Sequence, residues 1–487
     1  MHKKFRFLQL TFALLLSLAV KAEQPNFIFI MTDDQGYGDL GCYGHPIIKT
    51  PNIDTMAANG VIFMDFYARH KCSPARAGLM SGAFNFRVGV GSIVYPNSST
   101  GMVKETVTIP EMLKEKGYTS ALIGKWHLGH TPGYLPRDQG FDYYFGVPGT
   151  NHGDAKTHKL PVVEGFKPGG DFTIEDYWAD KGKGVHGRST ILMRNDKVIE
   201  WPTDITKLTQ RYTYESVKFI KENKDKPFFL YIAHGTPHHP YTVDQSFRGK
   251  SKHGLYGDMI EEIDWSVGEV IKALKENGLE KKTIIAFTSD NGADSKPNKE
   301  HKEQGSNLPL KGWKGNVEEG GSRVPFVVSW PGILPKGKKT AEIASLLDIF
   351  PTFAALAGIE PKTPQKIDGK NIFPIMQCLP GVKSPNKYIY YAGNTAKITA
   401  IRNHRFKYSS KNSALYDLQS DIGETTDVAS KYPEIVKELI AAIAAFQKDL
   451  DENSLKAPFD EGQAAYIKIK ESKGKSTKKK KDKKKGK

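Results

Sequence analysis

The 487-residue chain has only three cysteines. That is too few for a disulfide framework to stand in for a hydrophobic core. Its N-terminal apolar run, Leu8 to Val20, falls short of the ~20 residues a bilayer-spanning helix needs. The body also lacks strong charge of one sign. Lysine plus arginine exceed aspartate plus glutamate by 70 to 54, a formal +16, but the excess is not spread evenly. The last 17 residues hold ten lysines and two acids, and the first 22 hold four basic residues and no acid. What lies between is only mildly basic, so nucleic-acid binding by a basic fold loses most of its support. Hydrophobic content of 39% and charged content of 25% exclude disorder throughout and fit a soluble globular protein.

The two ends read as an address and a tail. MHKKFRF, the apolar run and Val20-Lys21-Ala22 have the order of a secretory signal peptide over residues 1–22. The expected location is therefore outside the cytoplasm, periplasmic or secreted, with no transmembrane anchor. Residues 466–487 are lysine-rich and cannot bury a core, so a disordered, solvated tail is expected. Loose contact with an anionic polymer or a membrane surface is the sharper reading of that tail.

Between the ends, short apolar runs alternate with helical patterns. Strands are predicted at Asn26–Met31, Thr119–Trp126, Pro227–Ala233, Thr283–Ser289 and Val324–Trp330. Thr108 to Glu111 is a capping box, and Met259, Ile260, Ile263, Val267, Val270, Ile271 and Leu274 share one helical face. Fully apolar strands alternating with helices imply an α/β fold, a mostly parallel sheet covered on both faces. Ligands of such sheets bind beyond the strand C-termini. Asp33, Lys125, His127, His234, His238, Asp290 and Asn291 all lie at or just past predicted strand ends, which points to one shared site. After about residue 375 the pattern changes to four short antiparallel strands between Tyr388 and Leu418 and a helix from Pro433 to about Asp451. The expected organisation is a catalytic domain over 23–374 and a smaller α+β subdomain over 375–465.

The most specific motif is CSPARAGLMSG at 72–82. TDDQGYGDLGCYG at 32–44, GKWHLGH at 124–130, HGTPHHP at 234–240, TSDNG at 288–292 and KGNVEEGGSRVP at 314–325 accompany it. Together these resemble the formylglycine-dependent (type I) sulfatases, of the arylsulfatase and N-acetylgalactosamine-6-sulfatase kind, over nearly all of residues 25–465. The resemblance implies an alkaline-phosphatase-like fold and hydrolysis of sulfate esters of a carbohydrate, a polysaccharide or glycosaminoglycan-like chain. It implies that Cys72 is oxidised to formylglycine, with a formylglycine-generating or sulfatase-maturing enzyme as a partner.

The chemistry of the residues agrees. Asp33, Asp34, Asp290 and Asn291 offer hard oxygen ligands, which suit Ca²⁺ or Mg²⁺ and not Zn²⁺. The resemblance selects one Ca²⁺, with residue 72 also on the metal. It further implies that Lys125 and Lys314 clamp sulfate oxygens and that His238 is the general acid toward the leaving oxygen. His127 would take a proton from the second hydroxyl of the formylglycine hydrate, and Arg76 would hold the hydrate and the metal-site carboxylates. His234 and His239 compete with His238, and Lys311 with Lys314; the family spacing selects the second of each. Thr150 and Asn151 lie near a family position that touches sulfate. His152, His301 and Arg405 are candidate pocket groups, and loops 150–200, 234–254 and 292–310 are candidates for building the pocket. Cys42 and Cys378 are expected to be two buried thiols. The rival readings are a phosphatase or phosphodiesterase of the related fold, which would use Ser or Thr with Zn²⁺, and a non-catalytic binder of sulfated polysaccharide.

Overall fold

The strand Asn26–Asp33 (β1) shows how the architecture is built, because all eight of its residues are buried. Phe27, Phe29 and Met31 enter one apolar core, while Ile28 and Ile30 enter another. A strand with two buried faces needs helices on both sides. The computed structural model describes residues 24–95, 98–150, 190–294 and 304–457.

Around β1 the chain adds strands β2 (Val61–Tyr67), β3 (Thr119–Gly124), β4 (Tyr143–Gly146), β5 (Leu192–Arg194), β6 (Lys197–Glu200), β7 (Phe228–Pro237), β8 (Thr283–Ser289), β9 (Arg323–Ser329), β10 (Lys338–Thr340) and β11 (Ala344–Ser345). The order across the sheet is β10-β2-β9-β8-β1-β7-β3-β4-β5-β6, with β11 beside β2. The central strands β8-β1-β7-β3-β4 are parallel. Strand β9 runs antiparallel to both β2 and β8. The sheet is mixed and mostly parallel at its centre, as expected.

The helices that matter are α1 (Pro51–Ala58), α2 (Cys72–Ser81), α3 (Leu208–Glu222), α4 (Gly254–Glu276), α5 (Ile349–Leu356) and α6 (Pro433–Glu452). Helices α2 and α5 cover one face of the sheet, through Ala75, Leu79, Met80, Ile349 and Phe353. Helices α3 and α4 cover the other, through Leu208, Phe219, Ile260, Ile263, Val267 and Leu274. The predicted stripe of α4 is buried except for Ile271, which is half-buried. Thr108 and Glu111 form the expected capping box, with both reciprocal hydrogen bonds present.

Beyond the sheet lie four antiparallel strands, β12 (Ile389–Ala392), β13 (Ile398–Arg402), β14 (Phe406–Ser409) and β15 (Ala414–Asp417), in sequential order. Leu439 of α6 packs on them with Ile401, Phe406, Tyr408 and Leu415. Two expected ranges shift for local reasons. Strand β3 stops at Gly124, whose φ of 123° and missing side chain let it approach β7; a Cβ there would sit 1.9 Å from the Ala233 carbonyl oxygen. Strand β7 runs on past Ala233 to Pro237, carrying its C-terminal end up to His238.

Cys42 and Cys378 are free thiols, as expected, but half-buried and not buried. Residues 1–22, 466–487, Asn151, His152 and His301 lie outside the described residues.

Candidate active site

Each site side chain is delivered by the end of a regular element. Asp33 closes β1, and Asp34 follows it in a left-handed backbone conformation, φ 65°. Lys125 follows β3, and His127 is also left-handed, φ 62°. For residues with a Cβ this conformation is uncommon, though Asp and His tolerate it better than most, and here it turns both side chains just past the ends of their strands. Asp290 and Asn291 follow β8. The turn they occupy is pressed on the segment Glu319–Ser322: a Cβ on Gly292 would lie 1.8 Å from the Gly320 carbonyl oxygen.

Cys72 is the first residue of α2, a helix whose ten residues are all buried. Its Sγ lies 3.2 Å from Asp33 Oδ1 and 3.9 Å from Asp34 Oδ1. One turn on, Arg76 donates through Nε and Nη2 to Asp290 Oδ2 at 3.1 and 2.8 Å, and through Nη1 to the Lys125 carbonyl at 3.0 Å. The ammonium of Lys125 bonds Asp33 Oδ2, and that of Lys314 bonds Asp34 at 2.7 Å. His238 Nε2 is 3.6 Å from Asp34 Oδ2, and its Nδ1 is 2.6 Å from the His239 carbonyl oxygen. Asn291 donates to Asp34 Oδ1 at 2.8 Å. Cys72, Arg76, Lys125, His238, Asp33, Asp34, Asp290, Asn291 and Lys314 therefore form one connected group. Asp33, Asp34, Cys72 and His238 each offer a ligand atom, all within 4.8 Å of one another.

The electrostatics follow from burial and neighbours. Burial works to raise the Asp33 carboxyl, but Lys125, then His238, Arg76 and Lys314, hold it well below the usual range. Asp34 is raised by burial and by the Asp33 charge, against Lys314. Asp290 is pushed up to about 7 by burial and by Asp33, against Arg76. Burial, with Asp290 and Asp33, keeps the Cys72 sulfur a thiol. The imidazoles of His127 and His238 are held neutral by burial, then by Lys125 beside the first and Lys314 beside the second. Burial opposes the Lys314 charge, but Asp34 foremost, with Asp33, keeps it an ammonium.

The donor set fits a hard divalent cation. Asp33, Asp34, Asp290 and Asn291 are all buried oxygen donors, and Asn291 Oδ1 accepts no hydrogen bond. A buried carbonyl oxygen without a donor is costly unless something else takes it. Both ring nitrogens of His127 are likewise buried without hydrogen bonds. Gln35 was not singled out in the sequence, although it directly follows Asp33-Asp34; it is fully buried, and neither side-chain amide atom has a partner.

Other candidates fall elsewhere. His234 is buried in the core beside Ser266 Oγ at 3.3 Å. His239 faces Asp294. Lys311 donates to the Glu424 carbonyl. The described contact of Thr150 is its carbonyl, 3.5 Å from Thr190 Oγ1, and not the group around Cys72. Arg405, a candidate for the pocket, is a surface partner of Asp417 at 2.7 Å on the small sheet.

A hydrolase of the alkaline-phosphatase-like fold is the class that this sheet and this cluster define. The family comparisons are more specific. The sulfatase model matches residues 25–359, and the C-terminal model of N-sulphoglucosamine sulphohydrolase matches 313–449. The chain belongs to the sulfatase family and is a sulfuric ester hydrolase. It is 35% identical to steryl-sulfatase of Homo sapiens over 435 residues, covering 79% of this chain and 74% of that one. It is also 35% identical to N-acetylgalactosamine-6-sulfatase of Sus scrofa over 396 residues, covering 79% and 71%. The crystal structure of Ps i-CgsB in complex with k-i-k-neocarrahexaose superposes with a TM-score of 0.76 at 30% identity, covering 91% of this chain and 96% of that one. Among the described residues, no helix is long and apolar enough to cross a membrane.

Proposed function

We propose that the protein removes O-sulfate from a sulfated carbohydrate, with residue 72 as formylglycine and one Ca²⁺ held by Asp33, Asp34, Asp290 and Asn291. The observation that carries this is the position of Cys72 Sγ, at the head of a buried helix and 3.2 Å from Asp33, with Lys125 and Lys314 on the adjoining carboxylates. The carbohydrate reading draws on the N-acetylgalactosamine-6-sulfatase relative and on the oligosaccharide complex among the similar structures.

A sulfate ester resists attack because its oxygens repel an electron-rich nucleophile, so cations must meet those oxygens. When bound, the divalent cation supplies Lewis acidity there. The formylglycine hydrate supplies an oxygen nucleophile and a second hydroxyl that serine lacks. The chain's own residues do the rest. The ammonium groups of Lys125 and Lys314 clamp sulfate oxygens. Arg76 fixes Asp290 and the Lys125 backbone, and so the geometry between β3 and β8. His238 protonates the departing alcohol oxygen, and His127 takes up a proton on the residue-72 side. Neutral at rest, His127 can accept a proton directly; His238, also held neutral, must gain one with the substrate anion, whose negative charge favours the imidazolium. The leader over residues 1–22 would send the protein out of the cytoplasm, where sulfated polymers are met.

Hydrolysis of a panel of defined sulfated saccharides, with a steryl sulfate in parallel, tests the substrate class. Release of sulfate from the sterol alone would overturn the carbohydrate reading, which the steryl-sulfatase relative makes a real rival. Peptide mass spectrometry across residues 69–87 tests the nucleophile; unmodified thiol in active enzyme would refute it.

A further inference from the structure

Lys314 is the one cationic site residue carried by a long irregular segment. Residues 304–318 contain turns but no helix or strand. The turn at Trp313–Asn316 closes on itself, with Asn316 N on the Trp313 carbonyl at 2.9 Å and Trp313 N on Asn316 Oδ1 at 3.0 Å, and other bonds tie the segment to its surroundings. Near its apex, Lys314 N bonds the Ala293 carbonyl at 3.0 Å and Gly315 N bonds the His70 carbonyl at 2.8 Å. Its two feet are held from the other side, by the region of the small sheet. Lys407 of β14 donates to the Val317 carbonyl at 2.8 Å and to Glu319 Oε1 at 3.0 Å, and pairs with Glu424 at 2.9 Å. Glu424 Oε2 accepts from the Glu319 backbone N–H at 2.8 Å, and its carbonyl accepts from Lys311 Nζ at 2.8 Å. Lys407, Glu319 and Glu424 are all 2% exposed or less. Little water can replace a lost partner there, and removing one ion leaves the other charges uncompensated.

The same Glu319 ties the feet to the large sheet. Its carboxylate accepts from Tyr67 at the end of β2 and from Tyr391 of β12, and Arg402 of β13 reaches Tyr67 and Asp65. The C-terminal region thus grips residues 311 and 317–319, and residue 314 between them reaches Asp34.

We propose that Lys407 and Glu424 are positioning residues for Lys314: the small sheet sets where the sulfate-binding ammonium stands. This rests on the reading of Lys314 as a sulfate clamp. An error of about 1 Å in a clamp costs on the order of a hundredfold in rate, which gives the arrangement functional weight beyond stability.

The test is a double-mutant cycle on the mature, metal-loaded enzyme, with inorganic sulfate as the probe by titration calorimetry. K407Q should weaken sulfate binding about tenfold and lower kcat/KM to match. K314A should weaken binding at least as much. The double variant should bind no worse than K314A alone, because Lys407 acts through Lys314. A purely stabilising Lys407 would lower the unfolding midpoint and leave sulfate affinity unchanged. That result, or additive losses in the cycle, overturns the proposal. Unchanged sulfate binding by K314A would instead sink the clamp reading itself, and the positioning role with it. Should K407Q fail to fold, E424Q, which keeps the shape and removes one charge, carries the same cycle.

Discussion

Among the described residues, two buried ionic clusters have a similar composition. At the strand ends, Asp33, Asp34 and Asp290 meet Arg76, Lys125 and Lys314. Between the large sheet and the small one, Asp65, Glu319 and Glu424 meet Arg323, Arg402 and Lys407. Each has three acids and three bases, yet they differ in closure. Both oxygens of Glu319 are saturated, by Tyr67 and Arg323 on one and Tyr391 and Lys407 on the other. Burial opposes the Glu319 charge, but Lys407, then Arg402 and Arg323, hold the carboxyl far below its usual range. In and beside the first cluster, Asn291 Oδ1, both nitrogens of His127 two residues after Lys125, and the amide of Gln35 next to Asp34 have no hydrogen-bond partner, and Asp290 is pushed up to about 7. A staple satisfies itself, whereas a site keeps buried capacity in reserve for something that binds.

If that contrast is right, substitutions in the first cluster should cost activity with little stability, and those in the second should cost stability first, with the smaller loss of sulfate binding that a displaced Lys314 brings. Cys72→Ala should have the largest effect, a loss of roughly 10⁵-fold or more in kcat, as expected for a deleted nucleophile. The urea unfolding midpoint should stay close to the parent's; a collapse in stability would make the first cluster a staple too. His238→Ala should lower kcat by about 10²–10⁴-fold. The loss should shrink for aryl sulfates with acidic leaving groups, and an equal loss across leaving groups would remove His238 from the acid role. Glu319→Gln should cost ~3–5 kcal/mol of unfolding free energy because three cations lose a charged partner. Denaturant titration reads that directly. The same variant should lower kcat/KM far less than either substitution in the first cluster.

The smallest effect comes from a buried acid outside both clusters. Glu262 on α4 is pushed up to about 8, from an ordinary 4.5, by burial and the Asp244 charge, and its Oε1 has no partner. The folded state holds the proton more tightly than the unfolded chain does. The contribution of Glu262 to stability is therefore full below pH 4.5 and is lost as pH rises through about 8. Glu262→Gln should flatten that part of the stability–pH curve and modestly stabilise the protein at pH 8. An unchanged curve would show that the carboxyl titrates normally.

Much of the first cluster is legible in the sequence, because its residues sit in short motifs at the ends of apolar strands. Asp33, Lys125 and Asp290 need only the rule that ligands gather at strand C-termini. The choice of Lys314 over Lys311 and of His238 over its neighbours follows from family spacing, and the structure puts both beside Asp34. The second cluster is less legible. Glu319 and Arg323 lie in the motif at 314–325, but Lys407 and Arg402 look like ordinary surface charges, since their burial depends on partners up to 337 residues away. Arg405 reads as a candidate for the pocket, but two residues further on it is Lys407 that the strand buries. Strand β2 is equally hard to read from sequence, as it pairs with β9, more than 250 residues downstream.

The burial of Cys72 also sets an order of events in the life of the molecule. The residue is 1% exposed and heads a helix sealed under the sheet. On the proposed formylglycine reading, no second enzyme could close an active site around it once that helix has docked. A chain that folded before conversion of residue 72 would be trapped as a stable, correctly shaped and inert product. The yield of active enzyme would then be a race between the modifying enzyme and the speed of this chain's own folding.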